Sequence, residues 1–327
     1  MVRHIIGQHG AGKTSLLRKM IEQDAARGFC VFDTSGQLTP LIEHDLLLDP
    51  GSTRWSPFAE PVDRNLAPNL FANTIVDLLG HSGQDRPLWI VNLGLNCRFL
   101  ASAFIDARWK LTQVPDFLLD ATVRAQMNVA DHGTRRYWAY FEAMSARERT
   151  SHIASTYSMF ATLLLDDRIS ALFQTRGGKF SLADISKQRL VVRLPVREFG
   201  QEAVAFIGSL MLAYINVLAE NDFAVYVDDC DLFANGILLE MATRGRFRLC
   251  LAHQYLDQLN PKLLAAILGN PAERYIFRVS SKDANILSCD LPPNDSKVSL
   301  DQLGMHRYRT IPFDRYSPDG RTFPLEN

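Results

Sequence analysis

The chain lacks a CxxC pair, and its five cysteines in 327 residues (Cys30, Cys97, Cys230, Cys250 and Cys289) are an odd number. Both facts argue against a secreted disulfide framework and fit a reducing cytosol. Cysteines in or beside apolar runs behave as small hydrophobes, and no chemistry is assigned to these. The eight histidines show no HExxH or other clear ligand spacing, and there is no GxSxG elbow. Zinc-hydrolase and serine-hydrolase readings therefore have no starting point. Only residues 1–6 precede the first glycine loop, too few for a signal peptide, so no export signal is expected. The longest nearly apolar stretch, 203–219, is interrupted by Gly208, Ser209 and Asn216. A membrane span needs about 20 apolar residues, so a buried crossover helix is expected here. An excess of one charge is also missing, with 35 basic residues against 36 acidic. A polyanion site must then be local rather than spread over the surface. No internal repeat or low-complexity tract occurs.

What is present is ordinary globular material, 47% hydrophobic and 22% charged, long enough for two compact units. The opening, VRHIIGQHGAGKTSLLRKMIEQ, reads as a short buried strand, a glycine loop and a helix with Leu16, Leu17, Met20 and Ile21 on its apolar face. Further short apolar runs follow at 28–33 and 44–49, then at 189–195, 223–231, 247–254 and 275–280. Their nearly continuous apolar content predicts central strands covered on both faces, hence a mostly parallel sheet. Between 66 and 175 strand alternation gives way to long segments such as CRFLASAFIDARWK and TSHIASTYSMFATLLL, punctuated by turn signals at 81–87 and 131–134. The expected organisation is a nucleotide-binding core in two parts, 1–65 and 176–327, with an all-helical domain inserted at 66–175. The tail predicts a Pro-Asp-Gly turn at 318–320 between two short strands.

Gly7-Gln8-His9-Gly10-Ala11-Gly12-Lys13-Thr14 matches GxxxxGK[ST], after a strand and opening a helix. Its glycines let backbone N–H groups converge on phosphate oxygens, and the helix N-terminus adds positive potential. Lys13 is expected to reach the β and γ phosphates of ATP and Thr14 to coordinate Mg²⁺, with Ser15 completing the binding segment. Asp228 ends the apolar run FAVYV, where the second magnesium-organising carboxylate of an ATP-hydrolysing protein belongs. Asp229 follows as a candidate to orient the attacking water; the bland reading is that the pair caps the next helix. Gln254 ends the next strand at the same carboxyl edge, either as a γ-phosphate sensor or as a surface glutamine, and His253 beside it reads as a packed edge residue. Arg244, Arg246 and Arg248 form a basic cluster ahead of that strand. One is a candidate arginine finger for a neighbouring subunit, and the others a solvated face.

With GQHGAGKTSLLRKM, VFDTSGQLTP, RYWAYFEAMSARERTSHIASTYSMF, RLVVRLPVREFGQEAVAFIGSLMLAYI, VYVDDCDLF and LAHQYLDQLNPKLLAAILGNPAERYIFRVSSKDANIL, the sequence resembles the TraD-like coupling proteins of conjugation and type IV secretion. These belong to the HerA/FtsK group of ring-forming translocases. The resemblance covers most of the chain. It implies a P-loop NTPase (RecA-like) α/β fold with an inserted all-α domain, and a homo-hexameric ATPase that moves DNA or a relaxase–DNA complex. By it Lys13 and Thr14 match the nucleotide loop, Asp228 the magnesium carboxylate, Gln254 the sensor and Arg244 the finger. Asp229 departs from the glutamate usual at its position. Coupling proteins usually begin with membrane helices, and none is expected here, so the expected location is cytoplasmic or peripheral at the inner face of the membrane, with a separate membrane partner. A second reading is a nucleotide-gated docking protein whose helical insertion binds a relaxase or secreted protein.

Overall fold

A computed structural model describes residues 1–79, 87–178, 180–269, 273–289, 299–304, 307–312 and 322–324. Of the expected turns, 81–87 lies outside the described residues except for Pro87, and 318–320 lies outside them entirely. The strands are β1 (Val2–Ile6), β2 (Phe29–Asp33), β3 (Leu46–Leu48), β4 (Arg189–Arg193), β5 (Ala224–Val227), β6 (Arg248–His253), β7 (Glu273–Ile276), β8 (Arg307–Pro312) and β9 (Thr322–Pro324). The helices, in chain order, are α1 (Lys13–Gln23), α2 (Ala67–Leu78), α3 (Leu88–Ala107), α4 (Val114–Leu119), α5 (Ala121–Ala125), α6 (His132–Ala143), α7 (Ala146–Leu163), α8 (Asp167–Phe173), α9 (Val196–Phe199), α10 (Gln201–Leu218), α11 (Asn235–Arg244), α12 (Pro261–Gly269) and α13 (Ser281–Ser288).

The strands form one sheet in the order β3-β4-β2-β5-β6-β1-β7-β8-β9. From β4 through β7 the paired strands run parallel, and β7, β8 and β9 close the edge antiparallel. Every residue of β2 and β5 is buried, the pattern of central strands covered on both faces. This is the P-loop α/β fold, a mostly parallel sheet flanked by helices. Because β1 lies between β6 and β7 while β5 adjoins β6, the carboxyl ends of β1, β5 and β6 share one edge, the edge where open parallel sheets bind ligands.

The chain divides into two compact units, one of residues 1–46, 185–193 and 219–327, the other of 47–184 and 194–218. The second unit is helical and contains all of 66–175. Its core is aromatic: Phe104 packs on Phe58, Trp109 and Phe117, Trp138 meets Phe117 edge-on at 4.7 Å, and Phe71 stacks on Phe160. Local signals start its helices. Asp131 accepts from the Thr134 N–H at α6, and Ser145 and Glu148 form a capping box at α7. The α10 and α3 helices are both long and apolar enough to cross a membrane. In α10 the side chains from Ala203 to Asn216 are all buried, as a core helix requires.

Within the first unit a pair of histidines lies inside the sheet. Ile6 pairs with His253 in register, so His4, two residues earlier on β1, shares a face with His253. Their rings stack with centroids 4.9 Å apart and Nε2 atoms 2.7 Å apart, and both side chains are fully buried. The Tyr255 carbonyl lies 2.9 Å from His253 Nδ1 and can only accept, so Nδ1 donates and the neutral ring keeps Nε2 as an acceptor. His4 must therefore donate from Nε2, which leaves its Nδ1 bare, without a partner among the described residues.

Burial pushes His253 down to about 4 from an ordinary 6.5, and burial, with help from His253 and Arg274, holds His4 well below its ordinary value. The unfolded chain thus binds more protons between pH 6.5 and 4, and the stability contributed above 6.5 is lost as pH falls through that window. For His253 alone this is about 3 kcal/mol. His253→Gln retains a donor for the Tyr255 carbonyl and an acceptor for His4 but cannot titrate. Its thermal midpoint is expected to fall less than the native protein's between pH 6.5 and 4.5. Equal acid shifts in the two proteins would contradict the buried neutral pair.

Candidate functional site

The loop after β1 is shaped by its glycines. Gly10 and Gly12 adopt φ of 73° and 108°, left-handed values that side chains disfavour, and Gly12 directly precedes α1. At Gly7 a Cβ would lie 2.5 Å from that of Phe277, so close approach of β7's continuation excludes any larger residue. The loop is tied on both flanks: Gly7 N–H donates to the His253 carbonyl at 3.3 Å and Gln8 N–H to the Arg278 carbonyl at 2.8 Å. The Arg278 side chain in turn donates to Gln8 Oε1 at 3.1 Å.

Lys13, 7% exposed, folds its amine back over this loop and donates to the carbonyls of Gly7 (2.9 Å) and Gln8 (3.3 Å). Burial lowers its pKa, and the carboxylates of Asp228, Asp229 and Asp231 oppose that shift. Thr14 Oγ1 donates to Asp228 Oδ2 at 3.1 Å, so the two sequence-predicted magnesium groups meet although 214 positions separate them. Asp228 is buried at the end of β5, and burial, reinforced by the Asp229 charge, pushes its pKa up. The Lys13 charge and the Thr14 hydrogen bond oppose that rise without cancelling it, and a divalent cation held with the Thr14 hydroxyl would favour the charged carboxylate further.

Asp229 has φ 45°, a left-handed conformation, and its Oδ2 accepts from Thr34 Oγ1 at 2.9 Å. Aspartate enters this backbone region more readily than most non-glycine residues. The shorter acid here therefore suits its local geometry. Asp231 stands in the same turn, its carboxyl pushed up to about 6 by burial with Asp229's charge adding to it. Gln254 follows β6 directly, and His253, fully buried against His4, is a packed residue of the strand end.

The three arginines separate clearly. Arg246 donates to the Ala219 carbonyl at 2.7 Å and to Asn221 at 3.1 Å, and its guanidinium lies over the Phe247 ring. Arg248 is 15% exposed and pairs with Asp24 and Asp222. Arg244 ends α11 with its side chain 61% exposed, held among the described residues by an i,i+4 pair to Glu240 at 2.8 Å. His9 and Ser15 sit at the loop surface and in the first turn of α1, both exposed.

Some members of this site have no motif to announce them. Thr34 could have been read from strand order alone: once β2 and β5 are neighbours with Phe32 opposite Val227, the residues just past each strand come together. Arg278 and Asp231 gave no such signal.

Residues 2–190 match a family model described as the type IV secretion-system coupling protein DNA-binding domain. Among solved structures, the plasmid coupling protein TrwB in complex with a non-hydrolysable GTP analogue is similar with a TM-score of 0.69 and 15% identity, over 99% of this chain and 85% of that one. TrwB in complex with the ATP analogue ADPNP gives 0.68 and 14%, over 99% and 84%. VirB4 of Thermoanaerobacter pseudethanolicus gives 0.65 and 11%, over 99% and 89%. At these identities the structural likenesses speak for the fold. No curated protein matches the chain.

Proposed function

Because the chain belongs to the type IV secretion-system coupling-protein family, we propose that it is an ATP-driven ring translocase, hydrolysing ATP to move DNA or a DNA–protein complex. The observation that carries this reading is the meeting of Thr14 with Asp228 beside the buried Lys13 amine, in a chain whose matched family segment is a DNA-binding domain. ATP occupies the loop of residues 7–15, with backbone N–H groups and the Lys13 amine neutralising its β and γ phosphates. Thr14 and Asp228 hold Mg²⁺, which when bound offsets charge on the phosphate oxygens. Asp229, fixed by Thr34, orients the attacking water. Gln254 reads the γ-phosphate from the end of β6. Arg244 completes the site of an adjacent subunit in a homo-hexamer, and the inserted helices at 66–175 bind the transported complex, a relaxase or a secreted protein. The ring works at the cytoplasmic face of the membrane, with a separate membrane partner.

A docking protein gated by nucleotide, with incidental turnover, is the competing reading, and phosphate release with and without DNA separates the two. The motor reading expects DNA to raise turnover by about tenfold, because substrate in a ring shifts the population of hydrolysis-competent interfaces. Turnover that ignores both single- and double-stranded DNA while a protein substrate still binds would favour docking.

A further inference from the structure

Two side chains, Gln258 and His253, hold the turn that follows β6. Gln258 Oε1 accepts from two successive backbone N–H groups, those of Gln254 (2.9 Å) and Tyr255 (2.8 Å). Backbone N–H groups only donate, so the carboxamide oxygen must face them and the amide nitrogen must face away. That nitrogen donates to Asp231 Oδ2 at 3.0 Å. Asp231 lies three residues after Asp228, in the short 3₁₀ turn Cys230–Leu232. Its other oxygen, Oδ1, is buried with no hydrogen-bond partner among the described residues. On its far side the same turn is pinned by His253 Nδ1 donating to the Tyr255 carbonyl at 2.9 Å.

A glutamine that merely capped its own 3₁₀ turn would need only the Tyr255 N–H. Here the carboxamide spans 27 positions of sequence to join the turn bearing Asp228 and Asp229 to the strand end bearing Gln254. Gln258 is itself exposed, so no packing demand explains its side-chain orientation. The hydrogen-bond valence of the group is spent on coupling the two segments.

We propose that Gln258 is a positioning residue for Gln254, anchored by Asp231 so that the segment carrying the magnesium carboxylate and the segment carrying the sensor move as one. This rests on the reading of Gln254 as the γ-phosphate sensor. A shift of Asp228 and Asp229 on nucleotide binding is passed through Asp231 and the Gln258 carboxamide to the Gln254 backbone. With the carboxamide removed, ATP still binds the loop of residues 7–15, but Gln254 is no longer placed when it does. The loss therefore falls on kcat and spares KM.

The test uses the full chain as native protein, Gln258→Ala, Gln254→Ala and the double variant, read by steady-state ATP hydrolysis and by hydrogen exchange at residues 254–255. Gln258→Ala is expected to lower kcat about tenfold, the effect of a misplaced group rather than a missing one, with KM within about twofold. The double variant is expected to be no slower than Gln254→Ala, because Gln258 acts through Gln254. ATP with Mg²⁺ is expected to slow exchange at residues 254–255 in the native protein and not in Gln258→Ala. Native turnover in Gln258→Ala beside a slow Gln254→Ala overturns the positioning role alone, as does a further loss in the double variant. Native turnover in Gln254→Ala instead rejects the sensor reading and the inference with it. Equal nucleotide-dependent exchange in the native protein and Gln258→Ala overturns the coupling whatever the turnover.

Discussion

Lys13→Ala is expected to abolish ATP hydrolysis, lowering turnover by about 10³-fold or more, the scale of losing a preorganised donor to the transferring phosphoryl group. The chain is expected to stay folded. Lys13 carries one buried cation among three carboxylates, and burial already lowers its pKa, so its folded-state charge is held at a desolvation cost that alanine removes. What alanine forfeits are the amine's bonds to the Gly7 and Gln8 carbonyls and its attraction to the Asp228, Asp229 and Asp231 carboxylates, two of which burial already pushes toward their neutral forms. The loop keeps its backbone anchors to His253 and Arg278, which do not involve that side chain. Phosphate release together with the thermal midpoint checks this. A midpoint within a few degrees of native and no turnover is the expected pair, and native turnover would mean that the glycine loop is not the hydrolysis site.

The parts of this site that were legible in the sequence are those set by local chemistry. A glycine loop between a strand and a helix dictates its own backbone, as Gly10 and Gly12 show. An aspartate closing a short, nearly all-apolar run lands at a carboxyl edge because strands of that composition are central and parallel. The helical texture of the second unit was legible for the same reason, since caps such as Asp131 and the Ser145–Glu148 box act within one turn. Pairings decided by strand order were not legible. Thr34 meets Asp229 across 195 positions and His4 meets His253 across 249, and no spacing within either segment encodes the partner. The arginine cluster illustrates the boundary. Composition shows three guanidiniums in five residues, whereas only the fold spends Arg246 on Ala219 and Asn221 and Arg248 on Asp24.

Arg244→Ala is expected to cost about 10³-fold in turnover, the lower end of what arginine fingers contribute, and to be rescued by a partner subunit. Arg244 ends α11, and after Gly245 and the next two residues the chain enters β6 at Arg248. Arg244 is thus near the amino end of β6, whereas His253 and the loop of residues 7–14 lie at its carboxyl end. A six-residue strand spans about 20 Å, longer than an arginine side chain, so Arg244 cannot serve its own nucleotide and any finger role must be in trans. Its 61% exposed guanidinium is held, among the described residues, by one exposed i,i+4 pair to Glu240, worth only about 0.3–0.5 kcal/mol, so exchanging that partner for a neighbour's phosphate costs little. Arg244→Ala and Lys13→Ala proteins, each inactive alone, are expected to regain turnover when mixed. In a random equal mixture about a quarter of ring interfaces pair an intact lysine loop with an intact arginine. Turnover in Arg244→Ala at the native level, no recovery on mixing, or native turnover per subunit that does not rise with protein concentration would each reject Arg244 as the finger. Because Arg246 and Arg248 are committed within their own subunit, such a result would turn the search to residues outside this cluster.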